Sequence, residues 1–166
     1  GDSVKGIIMR KTLVSLCAVV LVLFVLSSTM FGADWPQWRG VDRLAEWRET
    51  GIVEELPDQL LVRWRAPIRS GYSGPAVADG RIFITDWVED NESRTLDGTE
   101  RVVALDEESG LVLWTYEWKT SYRMLQVSYA VGPRATPTVD GDRVYVVGAT
   151  GRLFLSLIHI SEPTRR

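Results

Sequence analysis

Short apolar runs broken by turn-forming dipeptides dominate the chain from Ser73 onward. Pro75-Ala-Val-Ala78 and Arg81-Ile-Phe-Ile-Thr85 flank Asp79-Gly80, a pair suited to the positive φ angles of a two-residue type I′ turn. Arg101-Val-Val-Ala-Leu105 and Leu111-Val-Leu-Trp-Thr-Tyr116 flank a second turn. There the Asp106 carboxylate can bond the turn backbone and Gly110 can adopt the left-handed conformation. The pattern predicts strand, turn, strand, twice over, with Trp114 and Leu105 buried and no helix between the hairpins.

The first hairpin recurs. Pro75 to Phe83 aligns without a gap to Pro137 to Tyr145, an offset of 62 residues, and Gly141-Asp142 takes the place of Asp79-Gly80. One unit is therefore about four antiparallel strands, and a four-stranded unit repeated in tandem predicts an all-β fold, a β-propeller built of blades. The period exceeds the roughly 40 to 45 residues of the commonest blades. Two loops account for the excess: Glu89 to Glu100, polar and acidic, and Lys119 to Arg134, which contains Tyr122 and Tyr129. On this reading residues 34–154 are the N-terminal part of a propeller, an incomplete fragment of about one and a half blades.

Ahead of the repeat lies a different kind of segment. Met9-Arg10-Lys11 is a short positive region, Leu13 to Leu26 a nearly unbroken apolar run, and Ser27-Ser28-Thr29 and Gly32-Ala33 follow. This order predicts a secretory signal peptide within residues 1–33, with Met9 as the start and export to the periplasm or exterior. If uncleaved, the run stretched to Phe31 becomes a membrane anchor. The one cysteine, Cys17, sits inside that run, so the mature chain cannot depend on a disulfide. Between Asp34 and Phe154, 14 Lys plus Arg stand against 20 Asp plus Glu, scattered rather than striped, which argues against nucleic acid as a partner.

Ser73-Gly-Pro-Ala-Val-Ala-Asp-Gly-Arg-Ile-Phe83, Leu105-Asp-x-x-Ser-Gly-x-x-x-Trp114 and Pro133-Arg-Ala-Thr-Pro-Thr-Val-Asp-Gly141 together resemble the quinoprotein-like β-propeller repeat proteins. These are relatives of the pyrroloquinoline quinone dehydrogenases and of the outer-membrane-protein assembly propeller. Asp34-Trp-Pro-Gln-Trp-Arg-Gly40 and Trp47-Arg-Glu-Thr-Gly51 are similar to the opening of a secreted subgroup common in planctomycete-type bacteria. Val41-Asp42-Arg43 stands where that subgroup usually has Pro-Asn-Arg. The resemblance implies a binding or scaffold module whose ligand is a protein or a small molecule, without a cofactor. The alternative it implies is a dehydrogenase of alcohols or sugars dependent on pyrroloquinoline quinone and calcium. It also implies that Trp114 packs between neighbouring blades. Trp35, Trp38 and the rest of Asp34 to Gly40 are expected to cover or complete the final blade of a closed ring, and here to lack the blade they would meet.

Candidate chemistry is sparse. Glu89-Asp-Asn-Glu92 and Asp97-Gly-Thr-Glu100 carry carboxylates but not the Asp-x-Asp-x-Asp-Gly spacing that aims several oxygens at one calcium ion, so they are expected to be solvated loop. Asn91-Glu-Ser93 matches a glycosylation acceptor by form alone. Histidine and cysteine are absent from residues 34–154, so neither a serine–histidine nor a cysteine–histidine mechanism can be assembled there. No catalytic or metal-ligating residue is assigned.

The only histidine, His159, lies in a closing stretch of another character. Aligning Arg152-Leu-Phe-Leu155 with Arg101-Val-Val-Ala104 makes Leu-Asp the expected next pair, yet the chain reads Ser156-Leu157. Leu155 to Arg165 resembles, codon by codon, a frame of a transposase adapter used in sequencing libraries. Residues 155–166 are therefore expected to be adapter-derived and His159 to have no function, although the alternation of Leu153 to Ile160 permits a strand. Adapter-free long reads of the locus are expected to replace these codons with Leu-Asp and a glycine turn. Their persistence in genomic DNA refutes the reading.

Overall fold

The structure is a computed structural model and describes residues 32–90, 96–123, 125 and 131–159, with the backbone of 164–165. The leading apolar run and Asn91-Glu-Ser93 lie outside the described residues. Among the described residues no helix is long and apolar enough to cross a membrane.

Among the described residues eight strands form two four-stranded antiparallel sheets, each in sequence order. Sheet A comprises β1 (Ala76–Ala78), β2 (Arg81–Glu89), β3 (Asp97–Asp106) and β4 (Val112–Ser121). Sheet B comprises β5 (Thr138–Asp140), β6 (Arg143–Val147), β7 (Leu153–Leu157) and the two-residue β8 (Thr164–Arg165). The predicted hairpins form in the predicted register: Ala76 lies opposite Phe83, and Thr138 opposite Tyr145. Asp79 and Gly80 both take positive φ, 50° and 68°, as a type I′ turn requires. In the second hairpin Gly141 is at φ 57°.

The first sheet is longer than its apolar pattern suggests. Asp97 to Glu100 and Lys119 to Ser121, expected to be loop, extend β3 and β4, with Gly98 opposite Thr120 and Glu100 opposite Trp118. Glu100 is fully buried, so the expectation of a solvated acidic loop fails at this position. Tertiary pairing overrides the polar composition because the backbone N–H and C=O groups continue a ladder already nucleated by the apolar half of each strand.

Side-chain alternation gives sheet A two buried faces. Phe83, Val102, Ala104, Trp114 and Trp118 face sheet B, where Val139, Val144, Val146, Phe154 and Ile158 complete one continuous core. Its centre is aromatic: Phe154 lies 4.3 Å from Trp118 and 5.6 Å from Tyr116 between ring centroids, and Phe83 lies 5.9 Å from Trp114. Burying each large ring contributes about 1.5–3 kcal/mol. Trp114 sits between the sheets as expected, its indole N–H donating to the Ile158 carbonyl at 3.1 Å. On the opposite face Val103 and Leu105 are also buried.

The N-terminal segment corrects a second expectation. Asp34 to Gly40 is seated on the two sheets of this chain: Trp35 exchanges both backbone hydrogen bonds with Val77 of β1, and the Pro36 carbonyl accepts from the Val139 N–H of β5. β1 and β5 are edge strands whose backbone groups need partners, and this segment supplies them.

The Asp106 to Gly110 turn is closed by Asp106, whose carboxylate accepts from the Ser109 N–H at 2.8 Å and the Ser109 hydroxyl at 2.6 Å. The Ser109 hydroxyl is the main reason the Asp106 carboxyl lies below the usual carboxylate range. Gly110 follows at φ 69°, and an added Cβ would meet the Trp64 ring at 2.4 Å; at Gly80, with φ 68°, a Cβ would meet nothing within 4 Å. Gly80→Ala is therefore expected to cost about 1–2 kcal/mol, the left-handed penalty alone. Gly110→Ala is expected to cost clearly more. Urea denaturation of the two variants checks the order.

Candidate functional site

Two carboxylates on adjacent strand positions serve opposite faces of sheet A. Asp86 on β2 lies opposite Arg101 on β3, and the pair is bidentate, with Arg101 Nε and Nη2 at 2.7 and 2.6 Å from the two carboxylate oxygens. Asp86 is fully buried and also accepts from the Arg69 backbone N–H at 2.8 Å. Its charge is thus balanced, and the pair ties the Arg69 to Ser70 segment to the sheet.

Glu100, one residue before Arg101, points the other way. Its Oε2 accepts from Trp118 Nε1 at 2.6 Å, and its Oε1 accepts from the Tyr122 hydroxyl at 2.5 Å. The Ala149 N–H, in the turn between β6 and β7, reaches both oxygens at 3.1 and 3.3 Å. Three donors therefore serve the two oxygens, the Ala149 N–H being shared between them, and among the described residues none is a Lys or Arg side chain. Close approach explains Gly148, where a Cβ would stand 2.7 Å from Glu100 Oε2. The Tyr122 hydroxyl is held protonated far above its ordinary range, by burial first and by its hydrogen bond to Glu100 second. Trp87 packs edge-on against Tyr122 at 5.2 Å, its own indole N–H buried without a partner. A carboxylate engaged by three donors from both sheets joins the two sheets.

The concave surfaces lie elsewhere. A cleft of about 540 Å³ is walled by Trp35, Val41 and Trp47 and rimmed by Asp34, Glu46 and Arg48. Apolar aromatic walls with a few charges at the rim are the usual composition of a small-ligand or peptide cleft. Trp47 is 67 % exposed and Trp38, 63 % exposed, carries the Arg39 guanidinium 5.5 Å from its ring centroid. A second, more polar groove includes Asp90, Asp97, Lys119 and Arg152. There Lys119 Nζ bridges both Asp90 oxygens at 2.9 and 3.1 Å, and Arg152 donates to the Lys119 carbonyl at 3.3 Å.

Among the described residues no three of His, Cys, Asp and Glu converge to hold a metal ion. The Glu100 and Asp86 carboxylates are engaged by Trp, Tyr and Arg donors, so the described residues do not fit a calcium site. His159 is exposed, with Nε2 3.8 Å from an Asp79 carboxylate oxygen. Sequence reasoning missed Glu100, whose signal was its place opposite Trp118 in an extended ladder. It also missed Trp64, which stands before a proline-containing segment and in no recognised repeat. Of the Trp35 and Trp38 pair that it did single out, Trp35 lines one cleft together with Trp47, and Trp38 is not among the residues lining it.

The family model described as outer membrane protein assembly factor BamB matches residues 61–159. No curated protein matches the chain significantly.

Wild-type protein is expected to lose stability as the pH rises past the ordinary tyrosine pKa of about 10, because the unfolded Tyr122 then releases a proton that the folded one retains. Tyr122→Phe is expected to flatten this alkaline limb. At neutral pH the same variant is expected to cost about 1.5–3 kcal/mol, the value of a hydrogen bond to a charged group. Denaturant midpoints from pH 7 to 11 measure both effects.

Proposed function

The chain belongs to the family of pyrroloquinoline-quinone-like repeat proteins described as outer membrane protein assembly factor BamB, and from that premise we propose that it is the N-terminal part of an extracytoplasmic propeller acting as a binding or scaffold module. The cleft between Trp35, Val41 and Trp47 carries this reading. It offers large rigid aromatic surface and a charged rim, which suit recognition of an extended peptide or a small molecule. The buried polar groups support it from the other side: Glu100 and Asp86, which in an enzyme would be the first candidates for proton transfer, are each engaged by three donors that join elements of the fold.

The module works in the periplasm or outside the cell, reached through the leading apolar segment and held at a membrane only if that segment is retained. Nucleic acid is not its partner, given the excess of carboxylates over basic residues. The rival reading, an alcohol or sugar dehydrogenase carrying pyrroloquinoline quinone and calcium, requires a convergent set of carboxylate ligands. The carboxylates of these residues do not form one.

Titration with pyrroloquinoline quinone and calcium of the exported protein, expressed from the gene with its natural downstream codons, separates the two readings. The expected result is no saturable binding in the micromolar range and no dye-linked oxidation of alcohols or sugars. Micromolar binding with turnover overturns the scaffold reading in favour of the dehydrogenase.

A further inference from the structure

The backbone N–H of Ala33 donates to the Glu49 carboxylate, 16 residues further along the chain. Two other observations bring the same stretches together. Ala33, Asp34 and Trp35 line one cleft with Glu46, Trp47 and Arg48, and the compact body that carries both sheets begins at Ala33. Glu46 lies 3.7 Å from Arg48, whereas Glu49 forms no ion pair among the described residues. A carboxylate with an amide N–H as its donor and no cation beside it has room for a stronger partner in the same place.

Gly32 and Ala33 are small and exposed, and they follow the apolar run and Ser27-Ser28-Thr29. That is the order in which an export peptidase meets the bond it cuts. We infer that the exported chain is cut between Gly32 and Ala33, and that the α-ammonium group so made is held by the Glu49 carboxylate. One water is consumed: the C–N bond breaks, the water oxygen joins the Gly32 carbonyl carbon to give a carboxylate, and both water protons go to the Ala33 nitrogen. The donor already on Glu49 keeps its place and gains a full charge. A hydrogen bond becomes an ion pair.

Other cuts do not give this result. After Thr29, residues 30–32 stay attached and the Ala33 nitrogen remains an amide; after Ala33, the residue that meets Glu49 is lost. The inference rests on the reading of this chain as an exported module. It goes beyond that reading by naming the bond that is cut and the group that receives the new terminus. It also alters the cleft, because Ala33, one of its lining residues, becomes a cation beside Asp34 and Trp35.

The test expresses the gene with its natural downstream codons in an exporting Gram-negative host and sequences the N-terminus of the protein recovered from the periplasm. The expected first residue is Ala33. Any other first residue on an exported protein, the retained leading segment included, overturns the inference and leaves the export reading standing; protein confined to the cytoplasm overturns both. A second arm follows acylation of the Ala33 amine by acetic anhydride at neutral pH, since only the uncharged amine reacts and a carboxylate partner favours the charged form. Glu49→Gln is expected to speed this reaction about two- to fivefold, the value of an exposed ion pair, while Glu54→Gln leaves it unchanged. Wild-type protein is expected to show the same acceleration at about 1 M salt, which screens such a pair. Equal rates in the two variants, or a wild-type rate that salt does not move, overturn the capture by Glu49, and the salt arm decides it even if Glu49→Gln fails to fold.

Discussion

Everything in this molecule depends on a β-sheet that has two apolar faces and can satisfy neither alone. Strands β2 and β3 of sheet A bury residues on both sides, Phe83 and Ala104 toward sheet B and Val103 and Leu105 away from it. An antiparallel sheet with one solvated face could stand in water; this one needs a neighbour on each side. Tryptophan is the residue that meets the requirement. It fills the wedge between sheets with a large ring and presents a single N–H, which must be satisfied when buried. Trp114 satisfies it with the Ile158 carbonyl just beyond β7 and Trp64 with the Glu107 carbonyl in the turn between β3 and β4, so each contact fixes position as well as burying area.

The polar groups of the interior follow from the same requirement. Adjacent positions on β3 point to opposite faces, so Arg101 meets Asp86 on one side while Glu100 meets Trp118, Tyr122 and the Ala149 N–H on the other. One is an ion pair and the other a carboxylate held by neutral donors alone. Both stitch a connecting segment to the sheet: Arg69 and Ser70 in the first case, the Gly148 to Gly151 turn in the second. A buried carboxylate invites a catalytic interpretation, and the donor geometry at Glu100 explains why a joint fits these residues better. At the surface Trp35, Val41 and Trp47 form an apolar cleft because the chain there runs as loop and one turn of 3-10 helix, Val41–Arg43.

The local architecture was legible in the residues. Alternation with period two, Asp79-Gly80 and Asp106 to Gly110 determined both hairpins, their register and their turn types, because these are decided by φ preferences and by contacts a few residues apart. The repeat of Pro75 to Phe83 at Pro137 to Tyr145 determined that the second sheet copies the first, and the likeness to quinoprotein-like repeats agreed with the family match. Burial of Trp114 and Leu105 followed from the same pattern. What only the tertiary structure decided were contacts between residues far apart in the chain, from Gly98 and Thr120 (120 − 98 = 22 apart) to Pro36 and Val139 (139 − 36 = 103 apart). The polar run Asp97 to Glu100 became strand because β2 and β4 were already there to pair with it. Trp64 acquired a partner because Glu107 and Gly110 were brought beneath it, and Asp34 to Gly40 settled on the nearest open edges, β1 and β5. No periodicity encodes such meetings: each depends on which backbone groups remain unpaired once the local hairpins have formed, and that is a property of the assembled sheets.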